Sequence, residues 1–502
     1  DPHQPASAAA IRAGVRPEEL TDHSRSSRNT SASAARRTHS SDEVVVDGLE
    51  AIATHISKCC HPVYGDDIIG FIKSWTIAIL WIQRPLVWSS TQVRDFRYDE
   101  LNRLVASNTN EDGTPSDKYA TTYSYDADGN IKTLTRNDGD GRAMDGLTYR
   151  YAKDADGNIL SDRLLHVNDA VDADANDADI DDQGDFAQND PGRQNYAYDK
   201  TGNLVKDKSE EIAEIRWRAS GKVKEIIRTQ GSMKPNLRFS YDGLGNRVSK
   251  TVTYPTAAGD LKEVTTYYAR DAQGNVLAVY ERRSYEDGSE ELYLTEQHIY
   301  GSARLGMRKP NLLLAKSDGD VEIDMTMSSR ALGEKRYELT NHLGNVLAVV
   351  SDKRLPNDEP DVVSASDYYP YGMLMPDRSY DAEEYRYGFN GKEDINELNG
   401  WQDYGERMYS PLTARFQSPD PIIAYGQQYP ELSSYQFASN TPIWAIDLEG
   451  LEKLVVVNRI CGIANNRTII TTTRSKEIPG LLKESFEQNA SFNYQRGLDS
   501  NF

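Results

Sequence analysis

The feature that most constrains this chain is a short unit repeated along its middle: an aromatic-x-Tyr-Asp strand end, a Gly-Asn turn and an alternating apolar strand. Side chains alternate along a strand, so Tyr-x-Tyr places two rings on one face. Asp accepts backbone N–H groups in the turn, and Gly and Asn tolerate positive φ. Each copy therefore predicts one β-hairpin. The copies lie at 96–104, 123–131, 149–159, 196–204, 239–248 and 268–276, with a later variant at 337–346.

One such hairpin cannot bury its own apolar face, so the hairpins must pair edge to edge into a continuous sheet. The sequence therefore predicts an all-β fold. The repeat resembles the Tyr-Asp repeat of the Rhs/YD-repeat proteins, and the resemblance covers about residues 93–450. It implies YD-repeat β-hairpins stacked in a spiralling hollow shell, with the shell wall at 93–366.

A second stretch, 385–450, alternates short aromatic strands with Gly, Pro and Asn turns. This pattern predicts a tightly wound all-β segment. Its amino-acid sequence resembles the RHS repeat-associated core domain that closes the shell of Rhs proteins, in the form typical of Bacteroidetes. We therefore place the core at 367–451. The composition changes after it, and the resemblance implies that 452–502 begins a variable C-terminal toxin region, in which we expect two strands and a short helix near 478–487.

The resemblance also implies chemistry, because several family members cut themselves after an Asp-Pro-x-Gly-Leu motif. The matching string ends at Leu451, the expected cleavage site, and Leu448 stands where the family has Pro. Two carboxylates whose pKa values are pushed apart can activate a nucleophile and protonate the leaving amide. Asp420 and Asp447 are the candidates, with Arg415 as a neighbour that keeps one of them ionised. The alternative is that both aspartates only form turns that close the shell.

The N-terminal 92 residues differ from the rest. Residues 1–42 are rich in Ala, Ser, Arg and Thr, which predicts disorder. Residues 43–72 predict a small α+β segment and resemble part of the RelA/SpoT Cys-Cys zinc-finger-like domain, through Cys59-Cys60-His61-Pro62 and 65–71. The match breaks at Lys73, before the later ligands, so we expect no zinc site and no alarmone activity. The abrupt switch indicates a fusion, a frameshift or an assembly artefact.

Charge and composition exclude several other classes. The net charge of −21 and pI of about 4.9 argue against a nucleic-acid-binding wall. Three cysteines, two of them adjacent, imply no disulfide framework. The apolar run 68–88 is interrupted by charged residues and Pro, so it is too short to span a membrane. The Asp-x-Asp-Gly-Asn strings fail the EF-hand spacing, and no phosphate loop or nucleophile elbow is present. We expect no cofactor and no metal.

The Asp-rich insertion 168–190 predicts a disordered, solvated loop.

The resemblance to the Rhs/YD-repeat proteins implies a secreted or cell-surface shell of a polymorphic toxin system. By resemblance, it encapsulates its own C-terminal toxin as cargo for interbacterial competition, and a secretion-system component and an immunity protein are further partners. The chain begins without Met, and we read it as a fragment. The rival hypothesis is an extracellular adhesion scaffold that binds carbohydrate or protein and has no enzymatic activity.

Overall fold

The computed structural model describes residues 92–111, 114–172, 179–258, 261–317, 319, 332–381, 385–421, 423, 432–450, 452–464, 467–477 and 484–486. All of them belong to one unit, His39–Phe502. The predicted disordered segment and the RelA/SpoT-like segment lie outside the described residues. The all-β prediction is confirmed, because antiparallel sheets make up nearly all of the regular structure described.

The wall begins with a six-stranded antiparallel meander in which each strand pairs with the next along the chain. Its alternating burial follows the apolar alternation of the sequence, as in Thr114–Tyr125. The strands are β1 (Gln92–Tyr98), β2 (Leu104–Glu111), β3 (Thr114–Tyr125), β4 (Ile131–Asn137), β5 (Ala143–Lys153) and β6 (Ile159–Asn168).

A second antiparallel sheet of 15 strands continues the wall. Its strands are β7 (Tyr196–Tyr198), β8 (Leu204–Asp207), β9 (Ile212–Trp217), β10 (Val223–Arg228), β11 (Asn236–Tyr241), β12 (Arg247–Ala258), β13 (Leu261–Arg270), β14 (Val276–Tyr285), β15 (Glu290–Tyr300), β16 (Arg304–Arg308), β17 (Leu312–Lys316), β18 (Lys335–Thr340), β19 (Val346–Arg354), β20 (Pro360–Tyr368) and β21 (Leu374–Asp381). Strand β17 pairs with β15 outside the main order. Strands β20 and β21 continue this sheet past position 366 to Asp381, and the division into wall and core at that position stays a prediction.

Two four-stranded sheets follow. The first comprises β22 (Glu393–Ile395), β23 (Trp401–Asp403), β24 (Met408–Ser410) and β25 (Arg415–Phe416), and the second comprises β26 (Ala445–Leu448), β27 (Glu452–Ala464), β28 (Arg467–Glu477) and β29 (Glu484–Phe486). Short 3₁₀ helices lie at Pro191–Arg193, Pro356–Asp358, Phe389–Gly391, Asn396–Leu398 and Ala438–Asn440. The tail thus contains the two expected strands, but Glu484–Phe486 is a strand and not part of a helix, because it pairs with β28.

The repeat turns have the geometry that the sequence predicts. In the turn after β3, Asp126 Oδ1 accepts a hydrogen bond from the Asn130 backbone N–H at 2.8 Å, and Asn130 Nδ2 donates to Asp126 Oδ2 at 3.0 Å. Gly129 adopts φ +78°. Four further Asp-Gly-Asn turns repeat this arrangement, so their carboxylates are engaged by the turn itself and do not form a calcium loop. These turns lie at 154–158, 199–203, 242–246 and 271–275.

The second tyrosine of the repeat joins neighbouring hairpins in a way that sequence reasoning missed. Its hydroxyl donates to the carbonyl that follows the turn of the preceding hairpin, as Tyr151 does to Ile131 O at 2.8 Å and Tyr241 to Val223 O at 2.9 Å. Because a buried hydroxyl needs a partner, this bond explains why Tyr stands where Phe would pack equally well. Tyr125 makes the same bond to Leu104, and Tyr300 and Tyr368, which lie outside the repeat copies, bind Val276 O and Val346 O in the same way.

The main hydrophobic cluster joins the wall to the core and does not separate them. Wall residues such as Tyr151 and Phe239 belong to the same cluster as Trp401, Tyr409 and Phe437 of the core. The two wall sheets also contact each other, because side chains of β1 and β3 in the first sheet reach β20 and β21 in the second. The contacts are Arg94 Nη1 to Tyr368 O at 3.3 Å and Tyr119 Oη to Pro376 O at 3.0 Å.

Buried ion pairs fasten the core to the wall. Arg247 of β12 pairs with Glu393 of β22 and lies 3.1 Å from Asp403 Oδ2. Arg386 lies 3.1 Å from Glu393 and 3.0 Å from Glu296 of β15. Burial alone would raise the pKa of Glu393, but the two arginines hold it at about 2. Removing one partner of such a network leaves a buried charge uncompensated, which is costly.

The Asp-rich insertion differs from the prediction over the residues described. Ile180 is 8% exposed and donates its N–H to Asp145 Oδ1 at 3.2 Å. Gln183 Nε2 donates to Tyr196 Oη at 2.9 Å, and His166 Nε2 lies 2.8 Å from Gly184 O. The expectation of a solvated loop is therefore wrong for 179–190. A few well-placed partners anchor this segment despite its composition.

Candidate functional site

The two predicted aspartates lie together at the end of the core. Asp420 follows β25, and Asp447 lies on β26; the two residues are each 3% exposed. The Asp420 backbone N–H donates to Ser434 O at 2.7 Å. The fold thus brings two carboxyl groups, 27 positions apart in the sequence, to one buried place.

A single guanidinium, that of Arg407, lies between them. Arg407 Nη2 is 3.1 Å from Asp420 Oδ2 and 3.3 Å from Asp447 Oδ2. Its Nη1 donates to Ser434 O at 3.3 Å, and its Nε donates to Gly450 O. Below the guanidinium lies the ring of Phe416, 3.7 Å from centroid to Cζ. Arg407 therefore links both carboxylates to the turn that leads out of the core.

Burial and neighbouring charges set the pKa of Asp447. Burial raises the pKa of Asp447 to about 7, and the nearby charge of Asp420 adds to the rise, while Arg407 opposes it. Asp447 Oδ1 has no hydrogen-bond partner of normal geometry within the described part of the chain, although the Ala438 N–H acts to lower the pKa. A buried carboxyl of this kind is protonated near neutral pH and can give up a proton.

A half-buried lysine, Lys392, completes the charged surroundings. Burial lowers the pKa of Lys392, while Asp403, Asp447 and Glu449 act to raise it. Its Nζ lies 4.8 Å from the centroid of the Tyr404 ring. The site therefore holds two cationic side chains beside two carboxyl groups, in a place that water does not reach freely.

Arg415 lies elsewhere. Its Nη1 donates to Tyr151 Oη at 3.0 Å and its Nη2 donates to Asp162 O. Side chains alternate along a strand, so Arg415 points away from the side of β25 on which Phe416 meets Arg407. The cationic neighbour expected of Arg415 is thus supplied by Arg407. The sequence motif that could have indicated Arg407 is Tyr404-Gly405-Glu406-Arg407, a turn that ends in a cationic residue.

The turn after Asp447 carries the predicted cleavage site. Strands β26 and β27 form a hairpin in which Leu448 is paired with Glu452. Glu449 has φ +58° and Gly450 has φ +80°, and a positive φ is costly for a residue other than Gly. The Glu406 N–H holds Glu449 O at 3.0 Å. Leu451 itself lies outside the described residues.

No metal site competes with this place. Among the residues that the structure describes, no group of three or more His, Cys, Asp or Glu side chains could hold a metal ion. In the same residues no helix is long and apolar enough to cross a membrane. Cys59 and Cys60 lie outside the described ranges.

Comparison with known proteins agrees with the repeats. Residues 73–286 match the family model "Teneurin YD-shell", and residues 44–76 match "RelA/SpoT RIS domain". The YD-shell match thus begins at Lys73, where the RelA/SpoT resemblance was seen to break. The two matches cover the RelA/SpoT-like segment and the first part of the Tyr-Asp repeats, and they do not extend to the core at 367–451.

Two curated relatives are long proteins of which this chain resembles a small part. Salivary gland surface protein 1 of Aedes aegypti is 27% identical over 271 residues, which are 53% of this chain and 7% of that protein. The tRNA3(Ser)-specific nuclease WapA of Bacillus spizizenii is 24% identical over 363 residues, which are 72% of this chain and 12% of that protein. Among solved structures, the crystal structure of TcdB2-TccC3-TEV is similar with a TM-score of 0.36 and 15% identity, over 72% of this chain and 20% of that one.

Proposed function

Because this chain is a Rhs/YD-repeat protein, we propose that its wall encloses the polypeptide that follows the core, and that the core cuts this segment free after Leu451. The observation that carries the proposal is the contact of one buried guanidinium with two buried carboxylates and with the turn at Gly450. A purely structural turn needs neither a second carboxylate nor a carboxyl group whose pKa is raised to about 7.

The proposed reaction is hydrolysis of the peptide bond between Leu451 and Glu452. Asp420, whose Oδ2 lies 3.1 Å from Arg407 Nη2, acts as the base and takes a proton from a water molecule whose oxygen bonds to the Leu451 carbonyl carbon. Asp447, protonated near neutral pH, gives its proton to the departing Glu452 nitrogen. The C–N bond breaks, and a carboxylate and an amine result. Two carboxyl groups in unequal environments suit these two roles.

Leu448 stands where the family has Pro, but other residues constrain the turn that follows it, and this supports cleavage. A proline would fix φ at that position. In this chain the turn is instead constrained by Glu449 and Gly450, which have positive φ, and by the hydrogen bonds of Glu449 O and Gly450 O to the turn at Glu406 and Arg407. A Cβ on Gly450 would lie 3.1 Å from Arg407 N, so this position favours glycine.

In this proposal the segment after Leu451 begins a toxin used in competition between bacteria. The protein acts after export, with a secretion-system component and an immunity protein as partners. The name of the Bacillus spizizenii relative, a nuclease, supports an enzymatic cargo.

The test follows the purified chain on gels with time. Wild type should divide into two species, while Asp420→Asn and Asp447→Asn should stay whole, because each lacks one of the two proton-transfer groups. Asp394→Asn is the matched control: Asp394 is half-buried and its pKa is also raised to about 7, but its carboxyl group accepts a hydrogen bond from Gln402. The proposal fails if wild type stays whole, or if all four chains divide alike.

A second candidate is an extracellular scaffold that binds carbohydrate or protein and does no chemistry. The relative from Aedes aegypti, named as a surface protein, favours it. In that case Asp420 and Asp447 serve only to close the shell. The wild-type chain would then stay whole, and Asp420→Asn and Asp447→Asn would change only the stability of the fold.

A further inference from the structure

One wall residue, Asp162 of β6, reaches the aspartate pair through the core. Its Oδ2 accepts hydrogen bonds from the Ser434 backbone N–H at 3.0 Å and from Ser434 Oγ at 3.1 Å. Its Oδ1 accepts a bond from Asn130 Nδ2 at 2.9 Å. The carboxylate is therefore held by the wall on one side and binds the core on the other.

Ser434 connects Asp162 to the aspartate pair through its backbone carbonyl. Its carbonyl oxygen accepts the Asp420 N–H at 2.7 Å and Arg407 Nη1 at 3.3 Å. Thus one backbone carbonyl positions both the proposed base and the guanidinium, and Asp162 fixes the residue that bears it. Asp420 and Ser434 are 14 positions apart, so the chain between them does not by itself set their geometry.

We propose that Asp162 is a positioning residue that makes self-cleavage depend on assembly of the wall; this rests on the proposed function. Asp162 belongs to the first wall sheet and lies 258 positions before Asp420. The contact with Ser434 forms only when β6 has docked onto the core. Before docking, Ser434 lacks its two hydrogen bonds to Asp162, so its carbonyl holds Asp420 and Arg407 less firmly in register with Asp447. The chain is then cleaved after Leu451 only once the wall has assembled around the core.

The kinetic test uses Asp162→Ala, Asp162→Asn and a control in the full chain. Asp162→Ala should slow the first-order cleavage by about 10- to 100-fold, because a displacement near 1 Å of a reacting group costs about that much. Asp162→Asn keeps an oxygen for Ser434 and should restore most of the rate. Tyr149→Phe removes a different buried wall–core hydrogen bond, from Tyr149 Oη to Thr413 O at 3.0 Å, and should cleave as wild type does.

Two further readouts separate positioning from mere destabilisation. The pH at which the cleavage rate is half-maximal should shift in Asp162→Ala and stay unchanged in Tyr149→Phe, because only the first alters the surroundings of Asp447. Ser434→Ala, which loses one of the two bonds to Asp162, should give an intermediate rate if Asp162→Ala fails to fold. Equal rates and equal pH profiles in wild type, Ser434→Ala and a folded Asp162→Ala would overturn the inference.

Hydrogen exchange of the Asp420 amide distinguishes this inference from the proposed function. The Asp420 N–H should exchange faster in Asp162→Ala than in wild type or Tyr149→Phe, whether or not the chain is cut. If wild type is not cut but the amide exchanges faster in Asp162→Ala, then the proposed function fails while the positioning contact stands. If wild type is cut and the amide is unaffected, then cleavage stands and the role of Asp162 is refuted.

Discussion

At the scale of the residue, two aspartates with the same side chain have unequal environments. Both contact Arg407 Nη2, but Asp420 Oδ1 accepts the Ile423 N–H at 3.4 Å, whereas Asp447 Oδ1 has no partner of normal geometry among the described residues. Burial, reinforced by Asp420, raises the pKa of Asp447 to about 7. The raised pKa is what gives a carboxyl group a proton to donate at neutral pH.

This difference predicts the pH dependence of cleavage. Above its pKa of about 7 Asp447 is ionised, so the rate should fall about tenfold for each further pH unit, since only the protonated form donates. First-order rates measured between pH 5 and pH 9 check this, with Asp394→Asn as the control that keeps the same profile. A rate that rises steadily to pH 9 would rule out Asp447 as the proton donor.

At the scale of the element, the hairpin is the unit that the sequence specifies best. Asp242, Gly245 and Asn246 form the turn that their residue types predict, because each contributes a local hydrogen bond or a local φ. The partners of Arg407 could not be predicted in this way, since Asp420, Ser434, Asp447 and Gly450 lie 13 to 43 positions away in the sequence. Arg415 lies nearer to Asp420 in sequence, but the alternation of β25 turns it towards Tyr151.

The tyrosine bonds between hairpins give a prediction at this scale. Tyr241→Phe keeps the ring and removes the hydroxyl that donates to Val223 O at 2.9 Å. We expect a loss of about 1 kcal/mol in the free energy of unfolding, measured by urea denaturation. Tyr267→Phe, at a ring that is 37% exposed, is the control and should change it little. Equal effects of the two variants would contradict a specific role for the bond.

At the scale of the whole molecule, wall and core behave as one body because their side chains share a hydrophobic cluster and buried ion pairs. The repeats and core motif in the sequence predicted both parts. Strands β20 and β21 continue the large sheet to Asp381, beyond the predicted boundary at 366. Their pairing depends on β19, which no local pattern reveals.

The ion pairs predict how acid affects the molecule. The pKa of Glu393 is lowered from 4.5 to about 2, so its contribution is present above pH 4.5 and is lost as the pH falls towards 2. Glu393→Gln should therefore be less stable than wild type at pH 7 by about 3 kcal/mol, and the gap should narrow below pH 4.5. Urea unfolding at several pH values, followed through tryptophan fluorescence, measures this. A gap that does not change with pH would contradict it.

The most direct measurement is the intact mass of the purified chain and of any fragment that it yields, for wild type beside Asp447→Asn. We predict two wild-type species, one ending at Leu451 and one beginning at Glu452, and a single whole chain for the variant. A wild-type chain that stays whole, or one cut at another bond in both proteins, would contradict self-cleavage by the aspartate pair.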